Sequence, residues 1–208
     1  MRRLIILLSL PLLAGCARSP AQRLDNRPRQ RLAMEMRVAG RIDPGLYYFF
    51  AIDTNGNLDD GPVPLVMTPS TPMPASGVPL VISDTVVPPS DYVVFHGGVF
   101  QHYRSGRFVG PPYQYAPPSG DGDTISITLD RSRLANPAVT SLQLNFVTAN
   151  QLIPSDDPLT PLDVDAAVDP YLSVPTGPNA TYENSAPTGG LPNDDLDIVY
   201  WRVEIRND

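Results

Sequence analysis

The sequence predicts an all-β protein, a single β-sandwich of about eight to ten short antiparallel strands joined by long loops. Two observations support this prediction. The chain has 25 prolines and 15 glycines among its 208 residues, and these residues break it into short segments without the period of collagen. Within the segments apolar and polar residues alternate, and no apolar pattern with a period of 3.6 residues follows the N-terminal segment. A β-barrel is the alternative, because strand patterns alone do not separate the two folds.

Two segments near the start of the domain are predicted to be strands. In RLAMEMRVAGRI, residues 31–42, every second residue from Leu32 to Val38 is apolar, which predicts a half-buried strand. The segment DPG at 43–45 supplies a turn. The following LYYFFAID, residues 46–53, is apolar on both faces, which is typical of a strand in the middle of a sheet.

The next part of the chain favours loops. Residues 61–90 contain eight prolines, and each proline removes one backbone donor from a sheet. We therefore expect only short edge strands there, at 63–67 and 79–83, joined by an extended loop.

DYVVFHGGVFQHYR, residues 91–104, is the clearest hairpin in the sequence. Gly97 and Gly98 suit the positive φ angles of a two-residue type I′ turn. Pairing outward from that turn places His96 and His102 on opposite faces, so the two side chains cannot bind one ion together. We expect His102 to pack beside the core and His96 to lie at the surface.

The C-terminal half supplies the remaining strands, with a single helical turn expected in DRSRLANP at 130–137. The strands are predicted at 107–109 or 113–115, 124–130, 141–149, 171–174 and 196–205. Trp201 lies in the last strand and alternates with apolar residues, so we expect it in the core rather than in a binding site.

The first fifteen residues have the character of a secretory signal peptide. Arg2 and Arg3 precede a short apolar stretch that is interrupted by Pro11. This stretch is too short to cross a bilayer, which takes about 20 residues. Cys16 follows it and is the only cysteine of the chain, so the domain is expected to fold without disulfides.

The segment LAGC at 13–16 resembles the lipobox of bacterial lipoproteins. The resemblance implies that the thiol of Cys16 is acylated, that the chain is cut before it, and that the acyl chains anchor the protein to the lipid bilayer. The chain then divides into a signal peptide at 1–15, the lipidated cysteine with a flexible basic tether at 16–30, and one sandwich domain at 31–208.

The resemblance also implies a location. Ala17, rather than aspartate, follows the cysteine, which implies the outer membrane if the host has one, and otherwise the outer face of the plasma membrane. Residues 17–41 carry seven arginines against two acids, a net charge of +5, and residues 42–208 carry six arginines against twenty acids, a net charge of −14. The acidic domain argues against nucleic acid as a partner, and the basic tether suits either anionic lipid headgroups or solvent.

The residue inventory excludes several reaction classes. The chain has no lysine, which excludes Schiff-base chemistry, a P-loop lysine and Ser–Lys dyads. An acylated Cys16 excludes a thiol nucleophile, and metal sites built on histidine and cysteine are excluded with it. A carboxylate-dependent hydrolase is one alternative function, but Glu35 and Glu204 lie in alternating strands and are expected to face solvent. The sequence therefore favours a non-enzymatic binding or structural module, with an envelope protein or a glycan as its partner.

The best candidate for a metal site is AIDTNGNLDDGP, residues 51–62. Carboxylate and carboxamide oxygens at alternate positions are what Ca²⁺ prefers, and this segment has five such side chains directly after a predicted strand: Asp53, Asn55, Asn57, Asp59 and Asp60. Asn and Asp are also ordinary turn residues, so a turn without metal is the alternative. The acidic segments SGDGD at 119–123 and PNDDLD at 192–197 would support calcium if they lay at the same end of the sandwich.

YYFFAIDTNGN at 47–57 resembles a segment of DOMON-like and family-nine carbohydrate-binding β-sandwiches, in which an aromatic strand leads into an Asp-rich loop. The resemblance implies a sandwich fold and, as ligands, sugars or, for some DOMON-like members, haem. Haem needs axial ligands such as His or Met, and the predicted placement of His96 and His102 gives no clear pair. A sugar would need exposed aromatic rings, and the candidates are Phe108, Tyr113 and Tyr115. A loop folded over an open end of a sheet is the other interpretation of these rings. A carbohydrate-binding module of the cell surface is therefore the second alternative function.

Overall fold

The computed structural model describes residues 30–64, 80–82, 89–118, 122–152, 163–186 and 190–208. These residues form fourteen strands and one short 3₁₀ helix, Arg131–Arg133. The strands are β1 (Gln30–Val38), β2 (Tyr47–Asp53), β3 (Pro62–Pro64), β4 (Leu80–Ile82), β5 (Asp91–His96), β6 (Val99–Arg104), β7 (Arg107–Gly110), β8 (Gln114–Ala116), β9 (Thr124–Asp130), β10 (Ser141–Ala149), β11 (Val164–Ala166), β12 (Leu172–Pro175), β13 (Ala180–Ser185) and β14 (Ile198–Asn207).

Two antiparallel sheets pack against each other, which confirms the predicted all-β sandwich. One sheet has five strands in the order β13-β14-β1-β9-β8. The other has seven strands, six of them in the order β11-β10-β2-β5-β6-β7. Its seventh strand, β12, pairs with the first part of β10, and β11 pairs with the last part. In the part of the chain that the structure describes, the strands form no closed barrel.

The two strands predicted first lie in the middle of the two sheets. β1 runs between β14 and β9, and its alternating apolar residues are buried against the other sheet. β2 runs between β10 and β5, with Tyr48, Phe50 and Ile52 in the interior and Phe49 and Ala51 on the outer face. Both faces of β2 are buried, which is why apolar residues follow one another in its sequence without alternation.

The interior between the sheets contains a row of packed aromatic rings. The ring of Phe50 lies 5.8 Å from that of Phe146, and Phe146 lies 5.8 Å from Trp201. These residues come from β2, β10 and β14, so the row joins the seven-stranded sheet to the five-stranded sheet. The predicted core position of Trp201 is confirmed.

A second apolar cluster lies on the outer face of the seven-stranded sheet. Its buried members are Phe49, Ala51, Tyr92, Val94, Val147 and Ala149. β3 packs against β2, β10 and β11 and pairs with β4 in a separate two-stranded sheet. β3 and β4 overlap the predicted edge segments 63–67 and 79–83, whose other residues lie outside the described part of the chain.

The hairpin of β5 and β6 has the predicted register. Pairing runs outward from His96 and Val99. Gly97 and Gly98 have φ angles of 61° and 78°, as a type I′ turn requires. The side chains of this hairpin therefore alternate between the interior and the outer face as the sequence predicts.

The described residues contain more strands than predicted, because several short edge strands pair with longer neighbours. β13 is largely exposed and pairs with β14 along its whole length, and β11 adds only three residues to β10. β7 and β8 both form, where the sequence prediction offered one or the other. The predicted helical turn is the 3₁₀ helix, which Asp130 caps by accepting a hydrogen bond from the Ser132 amide at 2.9 Å.

Candidate functional site

The predicted calcium loop, residues 53–60, is a series of turns at the end of β2. The side-chain oxygen of Asn55 accepts a hydrogen bond from the amide of Asn57 at 2.6 Å, and the oxygen of Asn57 accepts one from the amide of Asp59 at 3.2 Å. The side-chain amide of Asn55 donates to Oδ1 of Asp60 at 2.9 Å. These side chains therefore shape the loop by bonding to its own backbone.

Tyr171, which precedes β12, fastens this loop to the rest of the domain. Its hydroxyl donates a hydrogen bond to the Leu58 carbonyl at 3.2 Å. Its ring lies so close to Gly61 that an added Cβ there would be 2.5 Å from the ring. Burial, and then the charges of Asp60 and Asp59, raise the pKa of Tyr171. Tyr171 thus holds the C-terminal part of the loop.

Asp53 differs from the other predicted ligands because it is buried. Its side chain is 1% exposed, and its Oδ2 has no hydrogen-bond partner in the described structure. Burial raises the pKa of Asp53, against the opposing effects of the Ser90 hydroxyl and the amides of Asn55 and Thr54, and the charge of Asp60 raises it further. The carboxylate is therefore desolvated and only partly compensated by hydrogen bonds.

Gln143 faces Asp53 from β10, and the sequence patterns do not predict it as a site residue. It is the register partner of Asp53 and 0% exposed, and neither its Oε1 nor its Nε2 has a partner among the described residues. Asn145, on the same face, is satisfied, because its amide nitrogen lies within 3.0 Å of three carbonyl oxygens. One feature of the sequence does mark Gln143. It is polar, whereas Val147 and Ala149, which follow it on the same outer face of β10, are apolar.

His102 is fully buried against Asp91. Its Nε2 lies 3.0 Å from Oδ1 of Asp91, and both side chains are 0% exposed. The other oxygen of Asp91 accepts a hydrogen bond from the Ala135 amide at 2.7 Å, so the pair ties the hairpin to the segment after the 3₁₀ helix. A general acid or base must be within reach of a substrate, and this pair has no access to solvent. The predicted position of His102 beside the core is confirmed.

His96 lies on the opposite face of the hairpin, as predicted. It is half-buried, its ring stacks on Tyr47 at 3.9 Å, and its Nδ1 lies 3.1 Å from the Leu46 carbonyl. It belongs to a row of rings across four strands of the outer face: Phe108, Tyr103, Tyr92, Phe49, Tyr47 and His96. The two histidines therefore pack in separate places, His102 in the interior and His96 in the row of rings on the outer face.

The three predicted sugar-binding aromatics are exposed. Phe108 is 59%, Tyr113 43% and Tyr115 52% exposed. Their nearest aromatic or cationic neighbours differ: Tyr103 for Phe108, Arg31 for Tyr113 and Phe100 for Tyr115. Among the described residues no ring contact joins two of the three, so they present three separate rings to solvent.

The acidic segments do not join the 53–60 loop. Residues 192–197 accept hydrogen bonds from the loop after β1 and from the hydroxyl of Tyr48, and residues 122–123 accept from the same region. Tyr48 and Asp53 lie near opposite ends of β2, so these acids are at the far end of the strand from Asp53. The remainder of SGDGD, 119–121, lies outside the described residues.

The two glutamates considered for catalysis lie on the outer face of the five-stranded sheet. Arg202 and Arg206 both donate to the carboxylate of Glu204 and leave it buried. The prediction that Glu204 faces solvent is therefore wrong, because the two arginines cover its carboxylate. Together with Glu35 they line a shallow depression of about 200 Å³. Both oxygens of Glu204 are thus occupied by arginine, and the depression presents an ion pair to solvent rather than two free carboxylates.

The remaining predicted site, Cys16, lies outside the described residues, as do the predicted signal peptide and the predicted tether up to residue 29. In the described segments, no group of three or more His, Cys, Asp or Glu side chains is placed to hold a metal ion. No helix in those segments has the length and apolar character needed to cross a membrane. No protein-family model, curated protein or solved structure matches the chain.

Proposed function

We propose that this chain is a membrane-anchored lipoprotein of the bacterial envelope whose β-sandwich is a non-enzymatic binding or structural module. The observation that carries the proposal is LAGC at 13–16, in which the only cysteine follows an apolar segment and two small residues. The chain is cut before Cys16, and acyl chains on this residue hold the protein in the bilayer. Two or more acyl chains are needed for stable attachment.

The position of the first strand supports this arrangement. β1 begins at Gln30, so residues 17–29 separate the anchor from the folded domain. Extended at about 3.3 Å per residue, such a tether reaches about 40 Å. In the proposal, the sandwich lies at most this far from the bilayer, where it can meet a partner in the envelope.

The placement of the reactive side chains supports a non-enzymatic role. His102 and Asp91 are sealed in the interior, and Glu204 is held by two arginines. Lysine is absent from the sequence, and Cys16 is assigned to the anchor. In the proposal, His102, Asp91 and Glu204 therefore have structural roles, and Cys16 has an anchoring role.

The anchor is tested by growing the bacterium, or a bacterial host that expresses the chain, with an alkyne-labelled fatty acid. We expect the chain to take up the label and to sediment with membranes, and Cys16→Ser to do neither. The matched control is Cys16→Ser combined with Ser19→Cys, which restores one thiol three residues outside the motif and must remain unlabelled. An unlabelled wild-type chain, or a labelled control, would contradict the proposal.

In a host with two membranes the proposal places the protein in the outer membrane, because Ala17 follows the anchor. We expect wild type in the outer-membrane fraction of a density gradient and Ala17→Asp in the inner-membrane fraction, with Ala17→Ser as the control that stays with wild type. Equal distribution of all three would remove the outer-membrane assignment and leave the anchor untouched.

The exposed rings favour carbohydrate as the ligand class of a second candidate function. Phe108, Tyr113 and Tyr115 offer three faces on which sugar rings stack. Affinity electrophoresis through polysaccharide gels should show retardation of wild type, less retardation of Phe108→Ala and Tyr115→Ala, and no change for Val99→Ala, an exposed aliphatic control. Migration of wild type that no polysaccharide alters would reject this candidate.

A further inference from the structure

Three buried polar atoms without a hydrogen-bond partner lie on two facing side chains of the seven-stranded sheet. They are Oδ2 of Asp53 and both Oε1 and Nε2 of Gln143. Both side chains are more than nine-tenths buried. Buried polar groups in native proteins are paired in the great majority of cases, with protein groups, water or ions. The two acceptor oxygens, Oδ2 of Asp53 and Oε1 of Gln143, are of the kind that a cation binds, and water is the natural partner of the Nε2 donor.

The two side chains point into the same space. Asp53 and Gln143 are direct partners in the pairing of β2 with β10, and Cβ atoms opposite each other in such a pair are about 4.5 to 5.5 Å apart. The amide of Thr54 donates to the Ser90 hydroxyl at 2.7 Å, and the side-chain amide of Asn55 donates to Oδ1 of Asp60 at 2.9 Å. Asp60 is thus held within the loop that follows Asp53, where its charge acts on the Asp53 carboxylate. An ion between these side chains would contact both the sheet and the loop.

We propose that Asp53, Gln143 and Asp60 form a Ca²⁺ site between the seven-stranded sheet and the 53–60 loop. The carboxylate of Asp53 and Oε1 of Gln143 are the buried ligands, and Asp60 supplies a second negative charge. Loop carbonyls and water complete the roughly six to eight oxygens that Ca²⁺ takes. All the donors are hard oxygens, which favours Ca²⁺ over zinc, and the irregular loop suits Ca²⁺ better than the strict octahedron of Mg²⁺.

The proposed site differs from the one that the sequence predicts. The side-chain oxygens of Asn55 and Asn57 already accept backbone hydrogen bonds, and Asp59 is exposed. These residues shape the loop around the ion, whereas the decisive ligand, Gln143, comes from a distant strand. Since that ligand is an amide, the site does not depend on a group of three His, Cys, Asp or Glu side chains.

The proposal is tested on the full chain, purified in detergent micelles and dialysed against EGTA. Calorimetric titration with CaCl₂ should show one ion per chain. A ligand that binds only the folded state stabilises it by mass action, so the thermal midpoint should rise by about 5 to 10 °C when free Ca²⁺ exceeds its dissociation constant a hundredfold. Calcium content measured by mass spectrometry should fall from one ion per chain to none on dialysis.

Four variants identify the ligands. Asp53→Asn and Gln143→Leu should each weaken Ca²⁺ binding by more than about 100-fold, since removal of even an indirect partner of a metal costs about 10- to 100-fold. Asp60→Asn, at a half-buried position where folding is least at risk, should weaken it about tenfold. The matched control Asp59→Asn removes an exposed charge of the same loop and should change binding by less than about threefold.

Two outcomes would overturn the proposal. The first is a wild-type chain that contains no calcium and whose thermal midpoint is the same in EGTA and in millimolar Ca²⁺. In that case, a higher thermal midpoint of Gln143→Leu than of wild type in EGTA would show that the buried polar atoms of Gln143 are simply unsatisfied. The second is loss of binding in Asp59→Asn that equals the loss in Asp53→Asn, which would place the ion on the exposed surface of the loop. Neither outcome bears on the lipid anchor.

Discussion

At Gly61 the backbone passes under the ring of Tyr171 with no room for a side chain. A Cβ built there would lie 2.5 Å from the nearest ring carbon, closer than atoms in folded proteins approach. Interiors are close-packed, so such an overlap must be relieved by moving the ring or the backbone. This single residue therefore sets how tightly the 53–60 loop is held against the segment that precedes β12.

We expect Gly61→Ala to destabilise the domain by about 1 to 3 kcal/mol, the usual cost of adding a methyl group to a well-packed site. The measurement is equilibrium unfolding in urea. Gly177→Ala is the matched control, because nothing lies within 4 Å of its Cβ position, and its effect should stay within about 0.5 kcal/mol. The cost of Gly61→Ala should shrink in a Tyr171→Ala background; an unchanged cost would show that the ring is not its cause.

The sequence could locate Asp53 but not its partner. Asp53 was found because a local pattern, an aromatic strand followed by oxygen-bearing residues, marks the end of a strand and the start of a loop. Gln143 faces it only because β10 pairs with β2 in one register. That register depends on contacts between residues far apart in sequence, and no spacing rule within either segment reveals it. The unpaired state of the Gln143 amide is likewise visible only once both faces of the sheet are built.

Among the elements, β5 has packed side chains on both faces of the seven-stranded sheet. On the outer face Tyr92 stacks on Tyr103 at 4.9 Å and meets Phe49 edge-on at 6.3 Å. Burial, and then the neighbouring Tyr103, raise the pKa of Tyr92. In the described structure its hydroxyl takes part in no hydrogen bond, so the ring rather than the hydroxyl accounts for its role in the sheet.

We expect Tyr92→Phe to protect the domain against alkali. An unfolded tyrosine ionises near pH 10, and the raised pKa of Tyr92 keeps the folded phenol protonated above that pH. The unfolded state therefore loses a proton that the folded state keeps, and the free energy of unfolding falls as pH rises above about 10. Tyr92→Phe should match wild type at pH 7 within about 0.5 kcal/mol and exceed it above pH 10, as thermal midpoints across pH 7 to 11 would show.

Tyr48→Phe is the informative comparison. Burial also raises the pKa of Tyr48, but its hydroxyl accepts from the Asp43 amide at 2.9 Å and donates to the Asp195 carbonyl at 3.1 Å. This variant should gain the same alkaline resistance yet lose about 1 to 2 kcal/mol of unfolding free energy at pH 7, because the two hydrogen bonds are removed.

The prediction for Tyr92→Phe has its own contradicting outcome. If the thermal midpoints of Tyr92→Phe and wild type changed in parallel with pH, the raised pKa of Tyr92 would not be the cause of alkaline unfolding.

The elements predicted best are those whose signal is local. The β5–β6 hairpin followed from Gly97 and Gly98, because a two-residue turn with positive φ fixes every pair beyond it. β1 followed from its alternation, since one of its faces is buried and the other is not. β13 has no such pattern, with mostly polar and exposed residues, and becomes a strand only because β14 offers it a free edge. Neighbouring strands supply that kind of information, and a single segment does not contain it.

At the scale of the whole molecule, Arg131 connects the first residue of β1, in the five-stranded sheet, to the segment that leads into β10, in the seven-stranded sheet. Its side chain is buried and donates to the Pro137 and Val139 carbonyls at 2.9 and 2.8 Å, just before β10. It also donates to the side chain of Gln30, the first residue of β1. Burial lowers the pKa of Arg131, because desolvation disfavours the charged guanidinium. The hydrogen bonds of the side chain oppose this cost.

We expect Arg131→Leu to destabilise the domain by about 2 to 4 kcal/mol, because the carbonyls of Pro137 and Val139 and the side chain of Gln30 lose their donor at once. Arg133→Leu is the matched control on the same 3₁₀ helix; no ion pair or hydrogen bond of its side chain occurs in the described structure, and its cost should stay within about 0.5 kcal/mol. Urea unfolding measures both variants, and hydrogen exchange locates the effect. Because Arg131 donates to the side chain of Gln30, Arg131→Leu should also speed amide exchange in the first residues of β1. Equal stability of the two variants would mean that the sheets hold together through their apolar interior alone.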